Sequence, residues 1–304
     1  MKNLNILFLF LLISGVSFGQ TTSDRFAYTD GNLVGNGGWT SHSGSGGFIQ
    51  VSSGQAVIVH GSGSKEDANI SFSAVSGSIY YSFDFSVDDL GNPYSGTDNE
   101  YFAHFMVGTG SFSARLDIVP PSAGGDFNVG ISTLESSADN TWPTDLSFAT
   151  TYRVTVKYDQ NLNQAQLWID ATLETDTSIL GSDETDPGNA ITAFALRQST
   201  SSENETIRID NLVIASSFSQ ALSTKENQIE GFSMHPNPTD PGYVTISSKS
   251  NSKMQVSVFD MLGKQILSST VRDNTLNVSD LNTGIYLLKV SQDETISTKK
   301  LVIK

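Results

Sequence analysis

The sequence predicts an all-β protein: a two-sheet jelly-roll sandwich followed by a small immunoglobulin-like β-sandwich. Many short segments alternate apolar and polar residues at a spacing of two, which is the pattern of half-buried strands. Gly, Ser, Thr, Asn and Asp are concentrated between those segments, and Gly alone contributes 26 of the 304 residues, as frequent turns require. No segment combines helical periodicity with capping residues.

Strict alternation marks the predicted strands of residues 20–216. Residues 81–87 read YSFDFSV and residues 152–158 read YRVTVKY, so every second side chain in each is apolar. The turn 159–161 separates the latter strand from apolar residues 167–169, which predicts a hairpin. Further strands are predicted at 57–59, 102–107, 112–119, 193–196 and 207–214. About a dozen strands in one domain indicate two packed sheets.

The first 19 residues have the composition of an export signal. Lys2 supplies a positive charge, residues 6–13 are an unbroken apolar run, and Ser17 and Gly19 are small residues before a cut at Gln20. The run is too short to cross a bilayer, which takes about 20 apolar residues. We therefore predict a signal peptide over residues 1–19 and no transmembrane segment after its removal.

Charge and cysteine usage exclude several functions. Residues 20–230 carry 8 basic and 26 acidic side chains, a net charge of −18, whereas residues 231–304 carry 8 and 6. An acidic body repels phosphate backbones, so we expect no nucleic-acid partner, and it disfavours polyanionic polysaccharides more weakly. The chain has no cysteine, which excludes disulfides, thiolate metal sites and a lipid-modified N-terminal cysteine.

The composition changes after a polar segment at 217–231, which we interpret as a linker with room for a short helix. From residue 232 the chain contains Pro236-Asn237-Pro238, a strand-turn-strand over 258–264, a turn and strand over 281–286, and a basic end. Residues 232–304 thereby resemble the C-terminal sorting domain of type IX secretion substrates. The resemblance implies recognition by the secretion translocon and a protein that is secreted or held on the outer surface of a Gram-negative bacterium. Gly263 and Gly284 are expected in turns with positive φ.

Three short motifs of the body domain together carry a resemblance to a known fold. They are residues 26–39, which close on Gly37-Gly38-Trp39, residues 156–170, which contain Leu167-Trp168-Ile169-Asp170, and residues 209–213. They resemble concanavalin A-like (laminin-G-like) jelly rolls of secreted bacterial proteins. The resemblance implies a fold over residues 20–216, and fold alone does not assign an activity.

Catalytic signatures are missing from the sequence. It contains no zinc-protease, nucleophile-elbow or phosphate-loop motif, and the Glu-x-Asp-x-x-Glu strand of jelly-roll glucanases is absent. We therefore expect a non-catalytic, glycan-binding or adhesin-like module. The alternative is a polysaccharide-degrading enzyme, a lyase or a glycoside hydrolase. A lyase needs a base and a charge-neutralising group, which His104, Tyr101 and Arg115 could supply.

Residues 88–104 form the most suggestive loop. Aromatic faces stack on sugar rings, while carboxylates and amides bond sugar hydroxyls. Two Trp residues in other loops could join the same edge of the sandwich, or serve as core anchors instead. The candidate carbohydrate-binding residues are Trp39, Tyr94, Asp98, Glu100, Tyr101 and Trp142.

Asp30 and Asp210 are candidate ligands of one structural Ca²⁺. The first and last strands of a jelly roll lie side by side, and the resemblance implies an ion between them, held by carboxylate and backbone oxygens. The alternative is that each carboxylate caps a turn.

Overall fold

A computed structural model describes residues 20–304 except 98, 109, 183, 185–187, 201–203, 223–228, 230, 251, 272, 293 and 294. The predicted signal peptide and Asp98 lie outside the described residues. The chain divides into two compact units, Met1–Thr224 and Lys225–Lys304, so the division falls inside the segment interpreted as a linker. Each unit has a hydrophobic core of its own.

Strands dominate the first unit, as predicted. They are β1 Gln20–Asp24, β2 Gly31–Asn32, β3 Trp39–Ser43, β4 Gln50–Ser52, β5 Gln55–Val59, β6 Asp67–Ser71, β7 Ser78–Val87, β8 Ala103–Val107, β9 Ser111–Val119, β10 Asn128–Ser132, β11 Asn140–Thr141, β12 Tyr152–Asp159, β13 Gln164–Ile169, β14 Ile179–Leu180, β15 Ala193–Leu196 and β16 Thr206–Ala215. Sheet A has the order β14-β13-β12-β7-β16-β5-β4-β2, with β1 paired to β16, and sheet B has the order β11-β10-β9-β8-β15-β6-β3.

The two sheets enclose one aromatic core, which confirms the sandwich. Tyr81, Phe83 and Phe85 point inward from β7 and are at most 1% exposed. Phe194 of β15 contacts Tyr81 at 5.0 Å between ring centroids, so the sheets interdigitate through ring contacts. The predicted β12–β13 hairpin is present, with Tyr158 paired to Ala165.

A short helix covers part of the outer face of sheet A. Helix α1, Phe218–Ala221, forms from the first residues of the segment interpreted as a linker. Phe218 packs on Trp168 at 5.0 Å and on Tyr80 at 6.3 Å between ring centroids. These two outward aromatics need an apolar cover, so the helix belongs to the body.

A bulge on β9 changes which side chains reach the outer face of sheet B. The register between β8 and β9 shifts between Ala103 and Phe105, and Ala114 has φ of 52°. An extra residue shifts the two-residue alternation by one position. Phe112 and Arg115, three residues apart, therefore share the outer face, while Ala114 joins the core.

The second unit is a small β-sandwich, also as predicted. Its strands are β17 Ser233–His235, β18 Tyr243–Ser247, β19 Met254–Phe259, β20 Gln265–Val271, β21 Thr275–Asn277, β22 Gly284–Gln292 and β23 Thr295–Ile303. Sheet C has the order β17-β18-β21 and sheet D the order β20-β19-β22-β23. Gly263 has φ of 81° in the β19–β20 turn, but Gly284 begins β22 without a positive φ, so that expectation was wrong.

Candidate functional site

The connection between β7 and β8, residues 88–102, delivers an aromatic side chain to the outer face of sheet B. Phe102 turns into the core, and by the alternation of an extended chain Tyr101 turns outward. The guanidinium of Arg115 lies 4.7 Å from the centroid of the Tyr101 ring. That of Arg197 lies 4.5 Å from the same centroid. Both distances allow cation–π attraction.

Glu100 holds Arg197 in place. Nη1 and Nη2 of Arg197 each donate to Oε2 of Glu100 at 3.1 Å, and Nη1 also donates to the Tyr101 carbonyl. The hydroxyl of Ser199 donates to the same carboxylate oxygen. The backbone N–H of Glu100 donates to Asp117 at 3.1 Å. These charge-assisted bonds fix the guanidinium against the ring.

His104 lies beneath this layer, on the outer face of β8. It is 1% exposed, and its ring centroid is 4.5 Å from that of Phe112 and 5.3 Å from that of Tyr101. Nδ1 donates to the carbonyl of Phe105 at 3.1 Å. Burial lowers the pKa of His104 to about 3, helped by the positive charge of Arg115. The imidazole is therefore neutral at ordinary pH.

A cavity of about 440 Å³ lies along the first half of the same connection. It is lined by Leu90, Asn92, Pro93, Tyr94, Ser95, Gly96, Thr97 and Asn204. The 88–102 connection and the segment between β15 and β16 contribute to both features, because Ser199 contacts Glu100 while Asn204 lines the cavity. We call Glu100, Tyr101, Arg115 and Arg197 the Tyr101 site.

Trp39 is a core residue, and its assignment to a sugar platform was wrong. It is 1% exposed, and its ring packs 6.0 Å from Phe26 and 6.4 Å from Phe194 between centroids. Nε1 donates to Oδ2 of Asp24 at 2.6 Å. Asp24 also accepts bonds from the Phe26 N–H and the Tyr28 hydroxyl, so this Trp anchors the first strands.

Trp39→Phe is expected to lower the free energy of unfolding by about 1.5–3 kcal/mol, because it removes a buried hydrogen bond to a charged acceptor while keeping a ring in the core. Urea denaturation measures the loss. Glycan affinity should not change, since the side chain does not reach the surface. A weakened affinity in a fully folded Trp39→Phe protein would restore the Trp39 assignment.

The structure does not bring Trp142 to Tyr101. Trp142 is half-buried against the core and follows β11, at the edge of sheet B. Between β11 and β8 lie three strand spacings, roughly 14 Å. Tyr94 lies on the cavity wall but is 3% exposed. Of the candidate residues in the described part of the chain, Glu100 and Tyr101 are therefore the pair brought together.

The two predicted calcium ligands are also far apart. β1 does pair with β16, but Asp30 precedes β2. Gly31, Val51, Ala56 and Ile209 stand in one row across sheet A. Asp30 and Asp210 are therefore separated by three strand spacings, roughly 14 Å, too far to share an ion with 2.3–2.6 Å ligand distances.

Each of these carboxylates has a local role instead. Asp30 accepts the Ser53 N–H at 2.9 Å, and Asp210 accepts the Asn211 N–H at 2.6 Å. Burial, the largest effect, and the nearby Asp84 raise the pKa of Asp210. Within the described residues no group of three or more His, Asp or Glu is placed to hold a metal ion. The residues present do not fit the predicted calcium site.

Sequence reasoning missed Arg197. The residue follows a predicted strand, 193–196, whose Phe194 and Leu196 point inward, so alternation alone places Arg197 on the outer face. What the sequence lacked was the pairing of β15 with β8, which brings it to Tyr101. His104 and Arg115 were singled out together, and the structure does place them on one face.

Comparison with known proteins identifies the second unit. Residues 233–304 match the family described as the secretion system C-terminal sorting domain, so this is a secreted or outer-surface protein. In the described part of the chain no helix is long and apolar enough to cross a membrane. No curated protein matches the chain.

Solved structures resemble about two thirds of the chain at low identity. The Lotus tetragonolobus seed lectin has a TM-score of 0.39 and 14% identity, covering 64% of this chain and 96% of its own. Lectin II from Ulex europaeus has a TM-score of 0.39 and 14% identity, covering 65% of this chain and 99% of its own. The Emp47p carbohydrate recognition domain has a TM-score of 0.39 and 10% identity, covering 65% of this chain and 97% of its own. Likeness at this level says nothing about a ligand of this chain.

Proposed function

We propose that the body domain is a non-catalytic, adhesin-like glycan-binding module, and that glycan contacts the Tyr101 site and the adjoining cavity. One observation carries the proposal: a Tyr ring, two guanidinium groups and a carboxylate are held together on the outer face of sheet B. The connection that supplies Glu100 and Tyr101 also lines a cavity of about 440 Å³. Aromatic faces and planar polar forks suit sugar rings and their hydroxyls.

A second candidate is a polysaccharide lyase, because Tyr101, His104 and Arg115 share one face. The position of His104 favours binding without catalysis. A general base must reach the substrate proton within about 3 Å, and His104 is 1% exposed beneath Phe112 and Tyr101. Its Nδ1 is already engaged by the Phe105 carbonyl. Tyr101 itself is 8% exposed, so a ligand would contact only a small part of its side chain.

Tyr101→Ala is expected to weaken glycan binding at least tenfold, because both guanidinium groups lose the ring that holds them and the ligand loses its aromatic contact. A glycan array followed by calorimetry of the full chain lacking residues 1–19 gives the affinities. Tyr243→Ala is the matched control, since that Tyr is 64% exposed in the other unit.

Three results decide between a glycan-binding module and a polysaccharide-degrading enzyme. Binding by the parent and the Tyr243→Ala protein, with loss in Tyr101→Ala and no shortening of the polysaccharide, supports the proposal. Release of unsaturated or reducing products would make the protein an enzyme. Absence of binding across the array would overturn the glycan-binding function.

A further inference from the structure

Arg115 differs from the other arginines of the body domain. Arg25 bonds Asn211, Arg153 pairs with Asp84, Arg197 with Glu100 and Arg208 with Asp88. Among the described residues, the Arg115 side chain has neither a hydrogen bond nor an ion pair, and its Nε is buried without a partner. Residues 20–230 hold 26 acidic side chains, so an unpaired guanidinium is unexpected there. A buried N–H donor without an acceptor destabilises the folded state.

The surroundings of Arg115 leave a place for an acceptor. Its guanidinium lies 4.7 Å from the Tyr101 ring centroid and 5.6 Å from that of Phe112, and these two rings hold its orientation. The neighbouring Arg197 is already neutralised by Glu100. Ala193 and Ala195, outward-facing residues of β15, carry only methyl groups and so offer no side-chain acceptor to Arg115.

We infer that the Tyr101 site binds an acidic glycan, with the carboxylate of a uronic acid residue accepted by Arg115. The inference rests on the proposed glycan-binding function. A carboxylate matches the planar donor fork of arginine and would accept from the Nη groups of Arg115, which make no hydrogen bond within the described residues. The overall acidity of the body disfavours polyanions, so recognition is local and falls steeply with added salt.

Paired ligands test this inference. Oligogalacturonate and oligomannuronate are each compared with their methyl esters, which keep the sugar chain and remove the charge, and a sulfated oligosaccharide tests whether any anion suffices. The acid should bind at least tenfold more tightly than its ester. In the Arg115→Gln protein the acid and the ester should bind alike. Arg25→Gln, which removes the same charge from an arginine that contacts Asn211 and not the 88–102 connection, is the control for net charge and folding.

The outcomes separate the inference from the function on which it rests. If the acid retains its advantage in Arg115→Gln, or if acid and ester never differ, the carboxylate assignment is wrong while glycan binding stands. Equal binding of sulfated and carboxylated chains would also overturn it, in favour of a general anion site. If neither acidic nor neutral glycans bind the parent protein, the proposed function itself falls.

Discussion

A chain ending at Thr224 is expected to lose release into the medium or display on the surface, with the extracellular fraction falling at least tenfold. Residues 233–304 match a sorting domain, and they fold as a separate unit with a core of their own. Removing this unit takes away what the translocon recognises and leaves the body's core intact. Immunoblots of medium, protease-shaved cells and periplasm locate the protein, which should accumulate in the periplasm.

Two single substitutions make this test independent of truncation. Val256 is 1% exposed in the sorting unit, and Val256→Asp places a charge in its core, which costs several kcal/mol. Gln255 is its exposed neighbour on β19, so Gln255→Asp adds the same charge on the outer face. Export should fail for the first and persist for the second. Undiminished extracellular protein after truncation would mean that the body carries its own export determinant.

The elements that sequence predicted best are those in which local pattern and tertiary burial agree. Strand β7 follows strict alternation, because Tyr81, Phe83 and Phe85 fill the core between two sheets. The β12–β13 hairpin forms where its turn residues predict it, because the alternating side chains of its strands also fill the core. Such strands can be predicted from sequence because a shift of the pairing register by one residue would expose every apolar side chain.

The Tyr101 site was harder to predict from the sequence, because it depends on contacts between residues of different strands. The bulge at Ala114 breaks the alternation that would have put Phe112 and Arg115 on opposite faces. Arg197 reaches Tyr101 only through the pairing of β15 with β8. Trp39 in a Gly-rich stretch suggested an exposed platform, but Asp24, brought close by the fold, accepts its indole N–H and so permits burial. The calcium site predicted at Asp30 and Asp210 was wrong for a related reason. Pairing of β1 with β16 does not determine the position of Asp30, which lies three strands away from Asp210.

The pKa of His104 gives the body domain a specific sensitivity to acid. Burial lowers this pKa from 6.5 to about 3 in the folded protein, and Arg115, His42 and Arg197 add smaller repulsions to a charged imidazole. Between these two values the unfolded chain binds a proton that the folded chain does not. The free energy of unfolding therefore falls as the pH drops through this window, and each pH unit costs about 1.4 kcal/mol.

His104→Phe is expected to remove this dependence, because Phe keeps an aromatic ring against Phe112 and Tyr101 and cannot be protonated. Relative to the parent, the variant should gain roughly 2–3 kcal/mol between pH 6.5 and pH 4.5. All three Trp residues, 39, 142 and 168, lie in the first unit, so Trp fluorescence in urea follows the body alone. His235→Phe is the control, since His235 is exposed in the other unit and its removal should leave the pH profile unchanged. Parallel profiles for the parent and His104→Phe would mean that the pKa of His104 is the same in the folded and unfolded chains, which would contradict the burial of this side chain.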